Sequence, residues 1–236
     1  MAFRLSLAAA AAFACATPAA AQTAPDFETG VLAEINFARE HPHDYAEELR
    51  AYRDRFDGNV VRAPGDENGI YTREGVRAVD EAIAFLEAQA PLPPLAPGDL
   101  LGQSARYHAG ELGASGTTGH VSPDGANPGD RVRRMGGDIF VGETISYGAG
   151  DASAVVRGFI VDDGVPARGH RTAIFSTGYR FAGVGRGPHA RYGVTCVVDY
   201  SGTATGAPML PASLKGASTF VWRGARSGSG AVASAR

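Results

Sequence analysis

The sequence predicts a single α/β domain behind an N-terminal export segment. Three observations lead there. Apolar residues recur at helical spacing in several segments between Val31 and Val161. From Tyr192 to Tyr200 the period changes to two, with Tyr192, Val194, Cys196, Val198 and Tyr200 alternating as in a half-buried strand. The 32 glycines and 14 prolines make up about a fifth of the 236 residues, a loop-rich composition but not a low-complexity one.

Met1–Arg4, the apolar run Leu5–Ala14 and the small residues Ala19-Ala20-Ala21 have the layout of a signal peptide over residues 1–21, cleaved before Gln22. The apolar run is too short to span a bilayer. Cys15 offers a rival, a lipoprotein cysteine, but Phe13 is bulky where small residues are required. Residues 22–30 read as a linker, 31–202 as the domain and 203–236 as a Gly/Ala/Ser-rich tail. That tail has at most one short strand, at Thr219–Trp222, and a disordered end from Gly224.

Val31, Leu32, Ile35 and Ala38, then Tyr45, Leu49 and Tyr52, lie on one helical stripe. Pro42 predicts a break near His41, with a second helix from His43 or Asp44. Gly58–Gly69 is a polar loop, and Glu74–Ala90 a helix with Val76, Val79, Ile83 and Leu86 inward. The Pro91–Pro97 segment reads as an extended connector, and Asp99 as the cap of a helix to about Leu112. Gly113–Gly129 is a long loop, a length often functional. One or two helical turns follow at Asp130–Met135, then a short turn or strand at Ile139–Ile145. A helix over Ala152–Val161 stops at Gly164-Val165-Pro166. Phe181–Gly185 is a strand, and Pro188-His189-Ala190 a hairpin loop into the alternating strand.

Charge and cysteine content exclude several classes. Lys and Arg number 22 against 25 Asp and Glu, so neither nucleic acid nor an anionic membrane surface is an expected partner. All but one of the cations are Arg, the exception being Lys215. After cleavage only Cys196 remains, so no intrachain disulfide forms. Its place on the alternating face marks a buried structural thiol, and a monomer is expected. There is no G-x-S-x-G, H-E-x-x-H, P-loop or G-x-G-x-x-G motif. Ser122 reads as a loop-capping hydroxyl.

What remains is a distributed polar set: His120, Glu143, the pair Asp162-Asp163, and His170, all in Gly-rich surroundings. Two imidazoles with one or two carboxylates suit either ligation of a divalent cation such as Zn²⁺ or an acid/base pair. Spacing alone does not bring them together.

In this order the pieces resemble the CAP superfamily of cysteine-rich secretory proteins, antigen 5 and pathogenesis-related proteins, in particular a bacterial secreted branch. Ile35-Asn36 and Arg39 come first, followed by Ser104–His108 and His120 with Ser122-Pro123-Asp124-Gly125. Arg131, Gly142-Glu143, the run Val161–Arg171, and Gly183-Val184-Gly185 complete the series. The resemblance implies a three-layer α-β-α sandwich with a central cleft holding two histidines and two acids. His120, Glu143 and His170 match three of these positions, and Asp163, or else Asp162, the fourth. It also implies one of two roles. In the first, the carboxylates pin the imidazoles and leave a rigid groove for a lipid, glycan, small ligand or protein, in the cell envelope or outside the cell. In the second, His120 and His170 ligate Zn²⁺ and Glu143 is the general base of a hydrolase. The groove reading takes precedence because no nucleophile or complete ligand motif forces an enzyme. His108 and His189 read as structural, and Arg131, Arg168 and Arg171 as carboxylate partners or solvated charges.

Overall fold

A computed structural model describes residues 26–63 and 65–209 of the chain. The expected signal segment, the strand at Thr219–Trp222 and most of the tail lie outside the described residues. Helix α1 spans Phe27–Glu40 and begins four residues before Val31, because the Asp26 carboxylate accepts from Thr29 N and caps it. The break falls at His41, and α2 (Pro42–Arg53) starts with Pro42 itself, whose missing N–H costs nothing in a first turn.

The expected loop Gly58–Gly69 is part of a small antiparallel sheet: β2 (Val60–Val61) lies within it, and β1 (Phe56–Asp57) and β3 (Ile70–Tyr71) flank it. Helix α3 (Val76–Ala88) starts two residues later than expected, after Gly75. Within the proline-rich connector, β4 (Ala96–Pro97) pairs in parallel with Phe181 and Ala182. Asp99 is the first residue of α4 (Asp99–Ser115) rather than its cap, and α4 runs one turn further, to a left-handed Gly116. Helix α5 (Pro128–Arg134) carries a capping box between Asn127 and Asp130.

Strand β5 is Val141–Tyr147, two residues later than expected, and α6 is Ala152–Val161 as expected. Helix α7 (Gly169–Ile174) was not anticipated, so His170 lies in a helical turn rather than a loop. Strands β6 (Phe181–His189) and β7 (Gly193–Ser201) form the hairpin. Pro188 and His189 pair with Val194 and Gly193, so the turn is Ala190–Tyr192 and Tyr192 stands outside the strand.

The main sheet has the order β4-β6-β7-β5. Val198 and Tyr200 point to one face, where α1, α2, α3, α6 and α7 bury Val31, Ile35, Leu86, Phe159 and Ile174. Val197 and Ile145 point to the other, against Ala105, Ala109 and Leu112 of α4. The result is the three-layer α-β-α sandwich. Helix α4 lies almost in contact with the backbone of β6: a Cβ at Gly183 would stand 2.0 Å from Gly102 N, and one at Gly185 2.2 Å from Arg106 N. The glycine stripe is a close-approach device, not a turn signal. Cys196 is buried, and burial pushes its thiol up to about 12, so it is an inert structural thiol. Among the described residues no helix is long and apolar enough to cross a membrane.

Candidate functional site

The site residues gather around β5, the edge strand of the sheet. Glu143 is on β5 with its side chain on the α4 face, where only 1% of it is exposed. One oxygen lies 2.9 Å from His120 Nδ1, and the other accepts from Arg131 Nη2. Arg131, equally buried on α5, also donates from Nη1 to the His120 carbonyl at 3.0 Å, and to Ser122 Oγ and the Ala126 carbonyl at 3.3 Å. The guanidinium therefore serves as the internal support of the His120 loop.

The loop is tied down further. Ser122 Oγ donates to Glu111 at 2.6 Å, and Ser122 N to Ala126 O at 2.9 Å. His108, fully buried on α4, holds the Gly119 carbonyl at 3.0 Å and Glu111 at 3.1 Å. His189 contacts the Thr117 carbonyl at 2.9 Å and stacks edge-on with Tyr147. Both histidines are structural, and Ser122 is a loop hydroxyl.

The second imidazole belongs to the α6–α7 junction. His170 Nδ1 lies 2.7 Å from Asp162 Oδ1, and the same carboxylate accepts the His170 and Arg171 amides at 2.9 and 3.4 Å. Asp162 ends α6 in the left-handed region (φ 56°), a conformation Asp tolerates better than most residues. The imidazole packs on Phe159, ring centroids 5.3 Å apart. Asp162, and not Asp163, is therefore the carboxylate at His170.

Asp163 points elsewhere: its oxygens accept Arg73 N and Glu74 N, each at 2.7 Å, ahead of α3. Glu74 reciprocates by accepting Gly164 N at 2.8 Å, and the Arg168 guanidinium beside it holds its carboxyl down at about 2. Arg168 and Arg171 both pair with Glu81. Of the two readings open for Arg131, Arg168 and Arg171, carboxylate partner or solvated charge, the structure shows the first.

The two pairs share one plan. Each carboxylate is buried and engages Nδ1 of an exposed or half-exposed ring, His120 49% exposed and His170 25%. Neither ring's Nε2 has a hydrogen-bond partner among the described residues. The pairs approach β5 from opposite faces, the His120 loop from the α4–α5 side and α7 from the other. Among the described residues no three His, Cys, Asp or Glu side chains stand close enough together to hold a metal ion. Two imidazole nitrogens make half of a tetrahedral set, so the protein donors alone do not fit a closed Zn²⁺ site.

Asp199 was missed in the sequence. It pairs with Glu143 across β5–β7, is fully buried, and neither of its oxygens has a hydrogen-bond partner among the described residues. Ser104 Oγ and Arg131 Nε are also unpartnered. Burial, and then the Glu143 carboxylate, push the Asp199 carboxyl well above its usual range. The readable signal was an acid inside an otherwise apolar strand.

The family model of the cysteine-rich secretory protein family, CAP, matches residues 32–200. No curated protein matches the chain. Among solved structures, an extracellular SCP-domain protein from Bacillus anthracis is 20% identical with a TM-score of 0.40, covering 53% of this chain and 37% of its own. This chain thus spans little more than a third of that protein. An outer surface protein from Borrelia burgdorferi is 23% identical with a TM-score of 0.38, covering 45% of this chain and 76% of its own.

Proposed function

Since the chain belongs to the cysteine-rich secretory protein (CAP) family, we propose that it is an exported binding module whose ligand lies along the β5 edge between His120 and His170. Export rests on the signal-peptide layout of residues 1–21. One observation carries the rest: both carboxylates are consumed in holding the rings. Glu143 spends one oxygen on His120 and the other on Arg131, and Asp162 spends its two on His170 and two backbone amides. With 1% of each side chain exposed, neither carboxylate faces water as a free base. What each pair presents is a fixed imidazole with an open Nε2, a recognition group on a rigid wall.

The competing hydrolase needs Glu143 as a free base and a further metal donor, and the geometry supports neither. Glu143 and Asp162 act instead by fixing the two rings. The test is a binding panel of neutral and anionic phospholipid vesicles, a glycan array and a peptide library, run on the wild type, His120→Ala and His170→Ala. The proposal expects a ligand whose binding both substitutions weaken. Metal-dependent turnover lost in His120→Ala would overturn it.

A further inference from the structure

Among the described residues, strand β5 has no neighbour on one side. Gly148 N donates to Val194 O at 2.9 Å, and the register Thr144↔Val198 continues from there. In an antiparallel ladder the bonded pairs alternate, so even-numbered residues of β5 turn their N–H and C=O toward β7. Glu143, Ile145 and Tyr147 turn theirs outward. None of these six backbone groups has a hydrogen-bond partner among the described residues. Ile145 is buried, but Glu143 and Tyr147 are only half-buried, and with its side chain 1% exposed Glu143 keeps its remaining exposure on the backbone, between the His120 loop and α7. A partly exposed row of unpaired N–H and C=O groups is a template on which another chain can pair.

A cavity opens at each end of this edge. Beside Val141 is one of about 580 Å³, walled by Ile139, Phe140, Tyr179 and Met209. Beside Tyr147 is one of about 420 Å³, walled by Tyr52, Phe56, Ile70, Arg157 and Val161. Val141 to Tyr147 is six strand steps, about 20 Å.

We propose that the ligand of this cleft is an extended peptide segment of a partner protein, added to β5 as a fifth strand. Only a polypeptide supplies alternating N–H and C=O groups at the two-residue repeat that Glu143, Ile145 and Tyr147 display. Its apolar side chains, about six residues apart, enter the two cavities, and hydrogen-bonding side chains between them meet the imidazoles. This deepens the binding-module reading and rests on it.

The test selects phage-displayed random 12-residue peptides on the purified protein, then resynthesises the winners with a single N-methyl group at each position in turn. The modification is on the peptide, so folding of the protein is not at issue. The expected result is a loss of about tenfold at alternate positions and little between them. Amide exchange at Glu143, Ile145 and Tyr147 should slow on binding. Recovering no peptide, losses without alternation, or protection elsewhere would each overturn the peptide class. A vesicle or glycan bound in a His120- and His170-dependent way would leave the binding module standing while ending the peptide proposal. Metal-dependent turnover would end both.

Discussion

Replacing Asp199 by Asn tests the interior of the site. Asp199 faces Glu143 on β5, Arg131 on α5 and Ser104 on α4, with Gly183 opposite on β6. Its carboxyl is pushed up, first by burial and then by Glu143. A carboxyl with a folded pKa above its unfolded value, about 3.9, binds its proton more tightly in the native state. Its stabilisation is complete below the unfolded value and is lost as pH rises toward the folded one. The slope is about 1.4 kcal/mol per pH unit across that window. Asn has the same shape and no titration, so Asp199→Asn lacks this slope. Urea denaturation of both proteins at pH 4.5, 5.5 and 6.5 measures it, because titrating groups that do not interact with Asp199 cancel in the difference. The variant should gain on the wild type by about 1.4 kcal/mol for each unit until the folded value is reached. Parallel pH profiles would show that Asp199 is not held protonated, and the electrostatic account of the buried cluster would fail.

Four further outcomes follow from the geometry. Asp162→Ala leaves the His170 ring and two amides without their acceptor and puts Ala at positive φ, a loss of about 3 kcal/mol in chemical denaturation. Asp163→Ala should leave the His170 ring resonances in place, since its bonds go to Arg73 and Glu74; a matching shift in both variants would refute the assignment of Asp162. Gly185→Ala drives a Cβ into the α4 backbone and should cost about 3 kcal/mol, read as a lowered urea midpoint; an unchanged midpoint would contradict the close packing of α4 on β6. Cys196 should resist a thiol reagent in the native protein and react only on unfolding.

The legible parts of the fold were those set by local pattern. The stripe through Val31, Ile35 and Ala38, the break at His41 and the whole of α6 follow from periodicity and proline chemistry. The two-residue strands β1 to β4 are too short to carry a period, and tertiary pairing alone makes them strands. Helix α7 is a six-residue helix opening with glycine, a residue that argues against helix on propensity; Asp162 accepting its first amides offsets that. Three of the four site positions carried a motif. Choosing between Asp162 and Asp163 depended on which of two adjacent carboxylates turns inward, and the left-handed turn at Asp162 decides that. Asp199 lay hidden because its partner Glu143 is fifty-six residues away in sequence and meets it only through the β5–β7 register.

The most direct test of the proposed binding edge is nitrogen-detected NMR of the imidazoles, without and with a saturating ligand from the binding panel. In the free protein both His120 and His170 should carry the neutral-form proton on Nδ1, where the carboxylates lie, leaving Nε2 bare. On binding, both Nε2 signals should move together at one stoichiometry. A ligand that shifts one ring and leaves the other untouched, or rings protonated at Nε2, would contradict the picture of two pinned histidines facing a common edge.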